Sequence, residues 1–580
     1  MLTPIKGATH TQGLCVSLLL LLSIILEGCG AATTTTTPSS SSASCVALTG
    51  NAWVPAVPGV APSNHDASVT LSQSVINTIG PVVALNQPVP LGKEIPVSID
   101  MTEDLGQYGS LTLMAQTVNF PASLGGDAFA YLVSLNDGVN ELVNLSRAGT
   151  GNDCAAKGYY TCNGGSCSVN SSCTINSPSA FFNRNNWEQH QGAGNSAVNN
   201  PSINIFPTCN WAGGSTGSTS SPACGFNSTF FPTSPPIAAT PKRLRYGTTY
   251  TARYALLSDS WASPLSDTSG LKVTVVKKTS TRSTPGGATD INIILVGNSN
   301  INASRTAKGQ QNLNTLLNDV AEHFKQTGTG VGIGKVNAIE WPCSTGGENY
   351  SNPDVSVLGN LFAAGASVIP AGLDTKAINV FLVSTISDES YSNSNLTILG
   401  VDGAIGGPVM NGTAVSGMVV STFDQLAKLN SNCPSAAATC ILAQQDGDSF
   451  ELSSTIAHEM GHFFGLNHLS ESDGASHDAI IDTPICTATQ TIGGTAYATL
   501  NACRTSDSNT FPINSKTCSA DCGGSYNASS GTFCRDAISC QFNYLMWWTT
   551  KNFSSSTGSS DNNLFSTSQG GIINYHPIVQ

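Results

Sequence analysis

Within the stretch IAHEMGHFFGLNH (456–468) stand His458, Glu459, His462 and His468, in a chain that has nine histidines and only 10% charged residues. On a helix, His458 and His462 are four apart and project from one face. Ile456, Met460 and Phe463 fall on a stripe about 200° away, at about 100° per residue. One side of such a helix can pack into a core while the other offers two imidazoles to a cleft. Gly465 suits the left-handed position that ends a helix, and a turn there would bring His468 back to the same point. Three neutral imidazoles at about 2.0–2.1 Å would leave the fourth position of a tetrahedral zinc ion open to water.

That layout meets the needs of amide hydrolysis. Zinc lowers the pKa of a bound water from 15.7 to roughly 7 and polarises the scissile carbonyl. Glu459, adjacent but not a ligand, could take the water proton and hand it to the leaving amine. The competing readings are a structural histidine pair and a structural zinc site. The full spacing HExxHxxGxxH fixes five positions, which chance would supply roughly a few times per million chains of this composition and length. A structural zinc site closes its fourth position with protein and has no use for the glutamate.

Length and composition frame what must position these residues. At 580 residues the chain exceeds one ordinary core. Its 40% apolar fraction can build more than one, and Ser, Thr, Asn and Gly supply the polarity that charge does not. A net charge of −13 argues against nucleic acid or an anionic membrane as a main partner, because both need clustered Lys and Arg. The pair Lys277-Lys278 reads as solvated linker.

Residues 1–29 read as an export signal: Lys6 precedes an apolar run from Leu14 to Leu26 that is short for a bilayer span. The run ends in Leu26-Glu27-Gly28-Cys29, which resembles a bacterial lipobox with Cys29 as the lipidated residue, although Glu27 departs from the small residue usual there. An ordinary cleaved signal is the alternative. Residues 30–44, rich in Ser and Thr, form a tether. The expected location is the bacterial cell surface, as an outer-membrane lipoprotein, or the medium. A lipid anchor would be the sole membrane contact.

Residues 45–280 read as a β-rich module. Segments 92–100, 109–118 and 243–257 alternate apolar with polar. The last of them, with LKVTVV (271–276), resembles the final two strands of a fibronectin-type or immunoglobulin-like sandwich, with Tyr250 as its corner tyrosine. Residues 150–225 form a Cys-rich insertion, and 281–289 a linker. From residue 290 the texture becomes βαβ. Strands are expected at 291–297, 331–341 and 377–386, and helices around Leu313–Phe324 and at 355–366. A shorter strand at 411–422 is placed at the sheet edge.

HEMGHFFGLNH (458–468) matches the metzincin signature of zinc metalloendopeptidases. DAIIDTPIC (478–486) resembles the D-x-x-x-DTP element of the pappalysin type, NYLMWW (543–548) supplies a methionine turn at Met546, and 565–579 resembles the closing helix of such domains. The resemblance covers 290–580. It implies an α/β (α+β) catalytic domain with a mixed, mostly parallel sheet and an active-site helix; the β-rich, sandwich-like module that precedes it takes no support from this resemblance. It further implies that His458, His462 and His468 bind one zinc and that Glu459 is the general base. The strand near 411–422 would pair with a protein or peptide substrate. Trp548 stands where some metzincins place a zinc-approaching tyrosine, so no fifth ligand is implied there.

Removing Cys15 and Cys29 leaves sixteen cysteines, an even count that reads as disulfides in an exported protein. Seven fall before residue 280 and nine after it. Either a disulfide links the zones or each keeps a free thiol, which in the first zone could cap the zinc. Asp446, Asp448 and Asp473 could bind calcium, although solvated loop acids explain them as well. The expected function is therefore zinc-dependent endopeptidase, with a surface adhesion protein on a metzincin scaffold as the alternative.

Overall fold

The structure, a computed structural model, describes residues 66–79, 83–84, 93–118, 128–144, 160–169, 202–205, 246–258, 270–297, 307–326, 329–341, 346–369, 376–388, 398–422, 448–468, 489–498, 526–533, 545–546 and 565–580, with short breaks inside several of these. Cys29, the tether, Asp446, Asp473 and the DTP element lie outside them.

The N-terminal part is two antiparallel sheets. Its strands are β1 (Val69–Ile79), β2 (Val83–Ala84), β3 (Lys93–Met101), β4 (Ser110–Val118), β5 (Ala128–Asn136), β6 (Glu141–Asn144), β7 (Tyr160–Asn163), β8 (Ser166–Val169), β9 (Ser202–Ile205), β10 (Thr248–Ser258) and β11 (Gly270–Ser280). One sheet has the order β1-β11-β4-β9 and the other β2-β3-β10-β5-β6, while β7 and β8 form a separate hairpin that sets Cys162 opposite Cys167. Alternation is the cause of the burial pattern. In β3, Ile95, Val97, Ile99 and Met101 are buried while Pro96, Ser98 and Asp100 face out.

Two expectations change here. Strands β10 and β11 do not form a terminal hairpin: they lie in different sheets, with β10 between β3 and β5 and β11 between β1 and β4. Tyr250 is nonetheless fully buried near the start of β10, opposite Ile99. Lys277-Lys278 is not solvated linker but strand. Burial along β11 passes from one face to the other: Leu271, Val273 and Val275 are buried, and so are Thr274, Val276, Lys278 and Ser280. Lys277 reaches the surface and pairs with Glu103 at 3.2 Å.

The chain then enters a second sheet system through residues 281–287. Strand β12 (Ala288–Val296) is followed by helix α1 (Ala307–Gln326), strand β13 (Gly332–Trp341), helix α2 (Leu358–Gly365) and strand β14 (Ile378–Val383). Strands β15 (Gly400–Asp402) and β16 (Met418–Ser421), helix α3 (Asp448–Phe463) and helix α4 (Thr567–Tyr575) complete it. The strand order is β13-β12-β14-β16-β15, parallel except for the antiparallel β15–β16 pair. The path reverses direction at β13, and right-handed crossovers therefore put α1 and α2 on opposite faces. Side chains follow: Leu313, Leu316, Leu317, Val320 and Phe324 of α1 share a core with Ile291, Ile293 and Leu295. Leu358, Leu361 and Phe362 of α2 pack with Ile294 and Val296.

The edge strand differs from expectation. Among the described residues of 411–422, Met418–Ser421 is strand, its four residues are all buried, and it is paired on both sides. The edge belongs to β15, three residues long. Register is fixed partly by a buried ladder: Asn337 donates to Asn292 at 2.8 Å, and Asn292 donates to Asn379 at 2.9 Å. A one-residue slip would leave these amides unpaired.

Helix α3 packs on the α1 face of the sheet. Buried Leu452, Ile456, Ala457, Met460 and Phe463 join that core. His323 of α1 meets Ser453 Oγ at 3.3 Å and Ser454 Oγ at 3.2 Å, and burial lowers its pKa to about 4, so the ring is neutral at neutral pH.

Candidate metal centre

Helix α3 ends in a Schellman motif. Leu466 N–H donates to Gly461 O at 3.0 Å and Gly465 N–H to His462 O at 2.8 Å, with Gly465 at φ +105°. That left-handed residue reverses the chain, as the sequence predicts, and returns His468 to the helix. His468 Nε2 then lies 3.2 Å from His458 Nε2 and 3.1 Å from His462 Nε2.

The outer nitrogens settle the tautomers. His458 Nδ1 donates to Leu545 O, and His462 Nδ1 donates to Leu466 O at 2.7 Å. Both Nε2 atoms are therefore bare lone pairs aimed at one point. A single N–H on His468 could serve only one of them, whereas one cation serves all three. Nitrogens at about 2.0–2.1 Å from a tetrahedral ion are separated by roughly 3.3 Å, close to the spacing found. Burial, reinforced by His468, lowers the pKa of His458 to about 3 and holds that of His462 well below the ordinary imidazole value, keeping both neutral and ready to ligate. Among the described residues this is the only group of three or more potential ligands. None supports calcium, and Asp448 is simply the first residue of α3.

Residues 374–538, which include all three histidines, match the family model of pregnancy-associated plasma protein-A. Over these matched residues the chain is a pappalysin-like metzincin. Its family is one of zinc metalloendopeptidases, so zinc is the metal this donor set serves. No curated protein matches the chain.

Two further features of the pappalysin-like domain stand around the histidines. Met546 is fully buried under α3, where a Cβ on Gly461 would come within 2.3 Å of its Sδ. Glycine at 461 is what admits the Met546 side chain at this point, and the neighbouring Leu545 carbonyl accepts from His458 Nδ1. Tyr544 and Trp548 lie outside the described residues.

Glu459 turns toward the sheet edge. It is 6% exposed and its carboxylate accepts the backbone N–H of Asp402, while burial raises its pKa to about 8. A Cβ on Gly400 would stand 2.5 Å from its Oε1 and 2.7 Å from its Cγ. Strand β15 thus packs against the carboxylate through Gly400 and holds it through the Asp402 N–H. Sequence reasoning missed this strand. The glycines of GVDGAIGG (400–407) were the available signal, since glycine marks close backbone approach.

Proposed function

We propose that this chain is a zinc-dependent endopeptidase of extracellular proteins, with His458, His462 and His468 as the zinc ligands and Glu459 as the proton carrier. The observation that carries the reading is the convergence of three imidazole Nε2 atoms near a buried carboxylate at a sheet edge. When bound, zinc supplies Lewis acidity to water and to the scissile carbonyl. Glu459 accepts the proton of the attacking water and delivers it to the leaving nitrogen. The Asp402 N–H keeps the carboxylate from swinging away.

Substrate adds to β15 as a further strand, in extended conformation. Three residues of edge give few backbone hydrogen bonds, so side-chain pockets carry most of the selectivity. The unit from residue 290 to 580 is the catalytic domain, behind the module at 45–280. The Leu14–Leu26 run and Cys29 support export with a lipid anchor at the cell surface. The test is hydrolysis of gelatin by the purified mature protein. Cleavage that stops with a zinc chelator and returns on adding zinc is the expected result. Cleavage indifferent to chelation overturns the reading.

A further inference from the structure

The zinc helix is held from behind by a series of buried polar links that begins in the β-sandwich. Lys278, on β11, is fully buried. Its Nζ donates to Asn574 O at 2.6 Å and to His576 O at 3.0 Å. Both carbonyls belong to the C-terminal end of α4, where unsatisfied acceptors collect. Asn574 is tied on its other atoms too. Gly286 N–H donates to its Oδ1 at 2.7 Å, and its Nδ2 donates to Thr329 O and Gly570 O at 2.6 and 2.8 Å. Tyr108 of the module and Tyr575 of α4 stack at 5.6 Å between ring centroids.

His576 carries the link onward. Its Nδ1 accepts Ile578 N–H at 3.3 Å, so its Nε2 bears the proton and donates to Gly407 O at 3.0 Å. Its ring packs on Phe463 and Phe464, each at 5.6 Å. The loop it holds closes on the end of α3. Gly406 N–H donates to His462 O at 2.9 Å and Gly407 N–H to Phe463 O at 2.7 Å. A Cβ on Gly407 would lie 2.3 Å from the Phe463 ring, so this contact needs glycine. Lys278 is therefore joined to the backbone of His462 through His576 and the 406–407 loop. The core is continuous across the same boundary, with Val273 and Val275 of β11 in one cluster with Ile573, Ile578 and Phe464.

We propose that the β-sandwich is a fixed support of the zinc helix, with Lys278 and His576 as positioning residues, and that it stays with the catalytic domain in the working enzyme. This rests on His462 being a zinc ligand. A detachable pro-segment would leave Asn574 O and His576 O without their donor and expose the apolar boundary, and the support for the 406–407 loop would go with it. Outer-shell partners of this kind typically set metal affinity within about 10–100-fold.

The experiment measures zinc affinity by chelator competition on full-length mature protein, for wild type, Lys278→Met and His576→Phe, beside circular dichroism. His576→Phe keeps the ring volume and removes the donor, so it serves if Lys278→Met does not fold. Zinc binding about 10-fold weaker in a variant with wild-type secondary structure is the expected result, as is the presence of residues 66–280 in the active species by mass. Wild-type zinc affinity in both folded variants overturns the proposal, and so does an active species that has lost the sandwich. A wild type that binds no zinc at all instead defeats the peptidase reading, which keeps the two failures distinct.

Discussion

Glu459→Gln lowers kcat on gelatin by roughly 10²–10⁴-fold, the span that positioned acid–base catalysis contributes, and leaves one zinc per chain. The carboxylate is not part of the three-nitrogen cluster, so the metal site has no reason to empty. Glutamine keeps the shape and can still accept the Asp402 N–H through its amide oxygen, but it cannot take a proton. KM should therefore change little. Kinetics read together with metal content check this, and a parallel loss of zinc would show that Glu459 supports the site structurally instead.

Gly400→Ala tests the link between the sheet edge and the carboxylate. The added Cβ would stand 2.5 Å from Glu459 Oε1, 2.7 Å from Cγ and 2.9 Å from Cδ, all closer than real side-chain contacts allow. Glu459 is buried, so it has little room to yield, and β15 is pinned to β16 by its register. Either the carboxylate shifts or the edge strand does. A displacement near 1 Å in a catalytic group costs about 10²-fold in rate, and kcat is expected to fall by about that factor. Zinc affinity is expected to stay as in wild type, since the three atoms nearest that Cβ all belong to Glu459. Unchanged kcat would mean that the carboxylate reaches its working position without the edge strand.

Much of this architecture is legible along the chain because it is periodic. The stripe Leu313–Phe324 becomes the buried face of α1, the mostly apolar run at 291–297 becomes a strand covered on both sides, and the eleven-residue motif contains all three clustered histidines. The parts that were not legible depend on partners far away in sequence. Strand β15 is three residues long, too short to show a period, and exists because β16 pairs with it. Lys278 looks like a surface lysine until α4, almost three hundred residues later, covers it with two carbonyls. The oxygen that orients His458 comes from Leu545, 87 positions away. Local pattern thus shows what the site is made of, while its second layer of contacts comes from tertiary packing.

X-ray absorption at the zinc edge of the purified mature protein reads directly whether three imidazoles leave an open position on the metal. The expected result is three imidazole nitrogens at about 2.0–2.1 Å and one oxygen from water. A sulfur neighbour at about 2.3 Å, or a fourth protein nitrogen, would contradict it, because the position needed for substrate and water would already be filled.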